Sequence, residues 1–215
     1  MPGWEAIHVR DLDAIPVGDG LVWHPVRRRF DIRAFGVNAY TSDAVGHQVV
    51  EEHDETRSSG PGGHEELYVV VSGRATFTID GEIVDAPAGT LVFIRDPKVK
   101  RVAIAEEEGT LVLAVGGEPG RAYEVSPWEF NFVARPLLQK ERFGEAIELL
   151  EEGLRERPGN ASILYNLACA ESRAGRPLDA LVHLQEATRA NPDLAAQARL
   201  DPDFDPIRRE PGFPS

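Results

Sequence analysis

Sulfur is scarce in this chain. One cysteine, Cys169, and one methionine are present, so no internal disulfide can close, and a reducing cytoplasm is the expected setting. Positive charge is also in short supply, with 23 Lys and Arg against 36 Asp and Glu for a formal net charge of −13. The deficit runs through both halves: −9 up to residue 126 (12 basic, 21 acidic) and −4 after it (11 basic, 15 acidic). Neither half offers the basic footprint that nucleic acid or an anionic membrane requires. The run Arg27-Arg28-Arg29 is too short to reverse that and reads as solvated. No apolar stretch approaches the ~18 residues of a membrane span. The opening MPGWEAIHVRDLD lacks the positive and then apolar regions of a secretory leader. A cytoplasmic protein with neither a nucleic-acid nor a membrane partner is the expectation. What is present is ordinary for a globular chain: 42% apolar and 27% charged over 215 residues, enough for one large domain or two small ones.

The two parts of the chain carry different periods. Up to about residue 117, short Val-, Ile-, Phe- and Tyr-rich runs at 32–40, 47–53, 66–73, 74–80, 90–94, 101–105 and 110–117 are punctuated by Gly, Pro, Asp and Ser, the pattern of strands. With no helices between them they predict an antiparallel sandwich or barrel. The runs 72–74 and 80–82 read as hairpin turns, the second an Asp-Gly suited to type I′. The polar segment 53–64 reads as a long loop of functional length.

After PWEF at 127–130 the spacing becomes helical: Phe143, Ala146, Ile147, Leu150 and Leu154 form one stripe. A period of 34 residues then appears. Ala146 matches Ala180, Ile147 matches Leu181, Leu150 matches Leu184, Gly153 matches Ala187 and Pro158 matches Pro192. This pattern resembles the tetratricopeptide repeat, with Leu164, Leu167, Ala168 and Gly175 also at family positions in the second copy. Pro136 departs from it and implies a kinked or short first helix. The tail LDPDFDPIRREPGF reads as a terminating cap. Because two repeats bury little of their own faces, the helical part is expected to pack against the strand domain or a second subunit. Cys169, among Leu167, Ala168 and Ala170, reads as a small buried hydrophobe.

In the strand part, alternation along 62–73 puts His64, Glu66 and Tyr68 on one face. Two motifs here resemble those of the cupin (RmlC-like) family. Gly81-EIVDA-Pro87-Ala88-Gly89-TL reproduces the second motif, with Val92 where the family carries a metal-binding His; Glu66-LYVVVS-Gly73 fits the end of the first. Its His-x-His pair has its nearest equivalent in His53-Asp54-Glu55, with Gly46 upstream. The resemblance implies an antiparallel cupin-type barrel (a double-stranded β-helix) over residues 1–126, followed by a tetratricopeptide-like helical unit over 127–215. It also implies that His53, Glu55, His64 and Glu66 form a carboxylate-rich site for one divalent metal ion (manganese, iron, nickel or zinc), with Tyr68 and Val92 lining the pocket. The same residues allow a second reading, in which the valine marks a barrel that has lost its metal, His53 and Glu55 cap a wet loop, and Glu66 pairs with an arginine.

Two functions follow. A barrel with a degenerate metal site would bind a small molecule while the helices contact a protein partner. Alternatively, His53, His64 and Glu66 would serve a metal-dependent oxygenase or isomerase. Strands apolar on both faces, with Val70 and Val71 pointing oppositely, call for cover on the outer face, and a homodimer is the expectation.

Overall fold

The computed structural model describes residues 6–56 and 63–214; residues 57–62 of the expected 53–64 loop lie outside them. The chain divides into two compact units, Met1–Val125 and Ser126–Ser215.

The first unit contains β1 (Ile15–Gly18), β2 (Leu21–His24), a short helix α1 (Val26–Phe30), β3 (Gly36–Ser42), β4 (Gln48–His53), β5 (Glu65–Ser72), β6 (Arg74–Ile79), β7 (Glu82–Pro87), β8 (Leu91–Ile94), β9 (Arg101–Ala105) and β10 (Leu111–Gly117). Strands β1, β2 and β7 add to those expected. The first two are four residues each, too short to show a period, and β7 turns only Ala86 fully inward. The strands form two antiparallel sheets, ordered β1-β2-β3-β10-β5-β8 and β4-β9-β6-β7. From β3 to β10 every connection except β6–β7 crosses between the sheets, which is the double-sheet jelly-roll plan.

This topology corrects one turn. Residues 72–74 are not a hairpin: β5 and β6 lie in different sheets, and the chain turns a corner at Gly73. There φ is 70°, and a Cβ would come 2.7 Å from Thr110 Cα, so both backbone and space require glycine. Asp80-Gly81 does make the β6–β7 hairpin, with the two positive φ values (47° and 90°) that type I′ needs.

Between the sheets, Val49, Tyr68, Val70, Phe77, Val92, Ile94 and Val112 form the core. Alanines 75, 86, 103 and 105 leave room for the rings of Tyr68 and Phe77, whose centroids are 5.6 Å apart. On the outer face of the six-stranded sheet, residues 7–12 and α1 wall a cavity of about 750 Å³ with Ala39, Val71, Leu111 and Leu113. The chain's own N-terminal segment thus covers part of the face expected to need a partner. Arg27 is not solvated: it is buried and donates to the Ile32 carbonyl at 3.2 Å, because α1 folds its first turn back against the segment that follows.

The second unit is helical: α2 (Pro127–Gln139), α3 (Phe143–Glu156), α4 (Ala161–Arg173), α5 (Pro177–Ala190) and α6 (Leu194–Leu200). Asn160 caps α4, accepting from the Ile163 N–H at 3.1 Å. Of the 34-spaced pairs, Ala146, Ile147, Leu150, Ala180, Leu181, Leu184 and Ala187 are buried. At Gly153 a Cβ would come 2.9 Å from the Phe130 ring, so the small residue permits close helix approach. Helix α2 runs three residues past Pro136 before it ends; the proline removes one hydrogen bond near an end where few remain to lose. The tail caps the stack: Phe204 and Ile207 are buried, and Phe204 meets Tyr165 edge-on at 5.2 Å.

Between α4 and α5, His183 Nδ1 lies 2.7 Å from the buried Glu171 carboxylate. That hydrogen bond raises the His183 pKa above its usual 6.5, against the opposing pull of burial. A raised folded pKa contributes stability that is full below about pH 6.5 and is lost as pH rises through the folded value. Urea denaturation followed by helical circular dichroism should therefore find His183→Gln less stable than the wild-type chain by about 1 kcal/mol at pH 6, and a smaller difference at pH 9.

Candidate functional site

Strands β4, β5 and β9 deliver the polar groups. The pairing of β4 with β9 is irregular twice, between Gln48 and Val50 and between Val50 and His53. The added residues let neighbouring Val49 and Val50 both face inward, which regular alternation forbids. They also bring His53 opposite Arg101. On β5, alternation points Glu66, Tyr68 and Val70 inward; on β9, Arg101 shares the inner face with Ala103 and Ala105. Glu55 follows β4 and is held by backbone bonds to Pro97 and Gly63.

The groups converge. His53 Nε2 lies 3.6 Å from Glu66 Oε2 and 3.8 Å from Glu55 Oε1, while its Nδ1 is 2.8 Å from the Glu51 carbonyl. His64 reaches the cluster through Glu55, with Nδ1 3.5 Å from Oε2, and its ring lies against Tyr123. The Tyr68 hydroxyl donates to Glu66 Oε2 at 2.5 Å. Val92 is paired with Tyr68 across β5 and β8 and belongs to the apolar core beneath the polar groups.

Arg101 is the residue that the motifs did not point to. Its side chain is fully buried, and it spends its donors on Glu66 Oε2, the Tyr68 hydroxyl (3.2 Å) and the Val99 carbonyl (3.1 Å), with Glu55 Oε1 3.7 Å away. A usable signal was in the sequence: in RVAIA the arginine is in phase with two alanines, and a strand with alanines on one face places its first residue on that face too.

The electrostatics follow from this packing. Burial raises the Glu55 pKa to about 7, aided by the Glu66 charge. Burial would raise Glu66 as well, but His53 and the Arg101 guanidinium outweigh it and hold that carboxylate at about 2. His53 is raised: burial opposes its charge, and the adjacent Glu66 carboxylate more than compensates. Burial, then the Glu66 charge, push the Tyr68 phenol up, so it remains a donor.

A tetratricopeptide-repeat family model matches residues 137–200. Solved structures similar to the chain include KdgF from Halomonas sp. (19% identity, 52% of this chain and 90% of that one, TM-score 0.40). Others are an RmlC-like cupin from Shewanella frigidimarina (18%, 53% and 91%, 0.39) and a cupin-superfamily sugar phosphate isomerase from Silicibacter pomeroyi (12%, 53% and 76%, 0.43). No curated protein matches the sequence. The strand unit is cupin-like in fold, and the helical unit carries a tetratricopeptide-like repeat.

Within the cupin-like unit, His53, Glu55 and Glu66 present one donor atom each, all within 4.8 Å of one another, a spread that one ion could bridge. The guanidinium works against this. It is bonded to Glu66 Oε2 and lies against Glu55 Oε1, the two carboxylate oxygens that also face His53 Nε2. A divalent ion about 2.1 Å from Glu66 Oε2 would be within about 5 Å of Nη2. Repulsion between the two cations is then roughly 7 kcal/mol at an effective dielectric of about 20. With Arg101 in place, the residues do not fit a divalent metal.

Removing one member of this buried pair should cost far more than removing both. Glu66→Leu is expected to lose about 3–5 kcal/mol by leaving an uncompensated guanidinium, and Glu66→Leu with Arg101→Leu should regain more than half of that. Urea titrations of the three proteins measure it; a double variant weaker than the single one contradicts the pairing.

Proposed function

We propose that the cupin-like unit binds a small polar molecule at the end occupied by His53, Glu55 and His64, while the tetratricopeptide-like helices make protein contacts. One observation carries the ligand reading. Polar side chains gather at one end of an otherwise apolar inter-sheet core, and His53, Glu55 and His64 keep 12–22% of their surface. They are within reach of a ligand yet sheltered from bulk water, as the few orienting polar groups of a small-molecule site are. The imidazoles and the Glu55 carboxylate supply donors and acceptors, and the fully buried Arg101 holds Glu66 beneath them. The spacing of the three donors also favours a metal-dependent oxygenase or isomerase at these residues; the guanidinium bonded among them opposes it.

Calorimetric titration of the full chain with neutral sugars, nucleosides and hydroxy acids at millimolar concentration tests the ligand reading. At least one class is expected to bind, and to bind at least tenfold more weakly to Glu55→Gln and to His53→Ala. Absence of binding by all three classes, or binding indifferent to both variants, overturns it.

We further propose that the protein is a homodimer through the outer face of the six-stranded sheet, where Val71, Leu91 and Phe93 remain 51%, 64% and 47% exposed. Light scattering at micromolar concentration should then give twice the 23.6 kDa chain mass, reduced toward one chain in Phe93→Glu. A monomeric wild-type protein refutes the dimer.

A further inference from the structure

We propose that Arg101 is the resident cation of this site, a guanidinium standing where a divalent metal would otherwise bind, so that metal is kept out by the fold and admitted when the arginine is removed. The inference rests on the reading of these residues as the functional site, but on none of that site's ligands.

Three observations support it. The first is position: Arg101 is the register partner of His53 across β9 and β4, and both face the inner end, so its place was fixed together with the donor set. The second is shape. One planar fork reaches Glu66, Tyr68 and the Val99 carbonyl together while lying against Glu55; a lysine's single ammonium cannot span that set. The third is charge. The guanidinium is bonded to Glu66 and lies 3.7 Å from Glu55, so a positive charge already faces both carboxylates. A divalent metal, ligated by His53 as neutral imidazole, would set three positive charges against two carboxylates in a place shielded from water, an excess that protein interiors do not hold uncompensated. Arg101→Ala reverses the balance: two carboxylates and an imidazole then surround the space the guanidinium filled, and that set suits zinc or cobalt.

The test uses the full chain, stripped with chelator and then given zinc or cobalt. Wild-type protein should retain less than 0.1 metal per chain after gel filtration, with its melting temperature unchanged. Arg101→Ala should melt several degrees lower, recover on adding zinc, bind one cobalt per chain with a ligand-field absorption band, and lose both effects when combined with Glu66→Gln. Should Arg101→Ala not fold, Arg101→His supplies the same measurement with an added imidazole. Wild-type protein that binds one metal per chain in a Glu66-dependent way overturns the proposal, as does an arginine-free variant that folds and takes up none. Ligand titration reads neither result, so failure here stays separate from failure of small-molecule binding.

Discussion

The buried pairing of Glu66 with Arg101 organises everything polar inside the cupin-like unit. A carboxylate and a guanidinium that have left water must satisfy each other and every remaining donor, and here Tyr68 and the Val99 carbonyl complete the set. The consequences spread outward from that pair. Glu66 stays ionised, its charge helps raise the His53 pKa, and Glu55, desolvated beside that charge, is the carboxylate that titrates near neutrality. Two carboxylates a few ångströms apart thus take opposite characters from their surroundings alone.

The fold supports this arrangement by economy of side-chain volume. Alanines on β6, β7 and β9 keep the space between the sheets open enough for Tyr68 and Phe77, and the tyrosine spans from core to polar end. Extra residues in β4 then rotate His53 toward Arg101. The helical unit uses the same principle at Gly153, Ala180 and Ala187, where the lack of a large side chain sets how near two helices can come.

Much of this was legible in the sequence. Period-2 runs marked seven strands, and a 34-residue recurrence marked the helical pairs, because both signals come from residues that must be buried at fixed intervals. The inward set Glu66, Tyr68 and Val92 followed from alternation and a motif. Other features were hidden for physical reasons. Whether Gly73 closes a hairpin or turns a corner depends on which sheet the next strand joins, a long-range choice that the tripeptide does not encode. Arg27 looked solvated because a run of three arginines says nothing about which one the short helix turns inward. Arg101 lies outside the motifs because they consist of metal ligands, and an always-protonated guanidinium is rarely one; its phase with Ala103 and Ala105 marks its face, while its partners depend on long-range packing.

The segment ahead of β1 has a role beyond leading into the first strand. Residues 7–12 wall the outer cavity with α1, and Leu12 is buried. Removing or displacing those residues would expose Leu111 and Leu113 to water and present the sheet as a sticky surface. An expression design that keeps residues 7–12 intact respects what this stretch of chain is for.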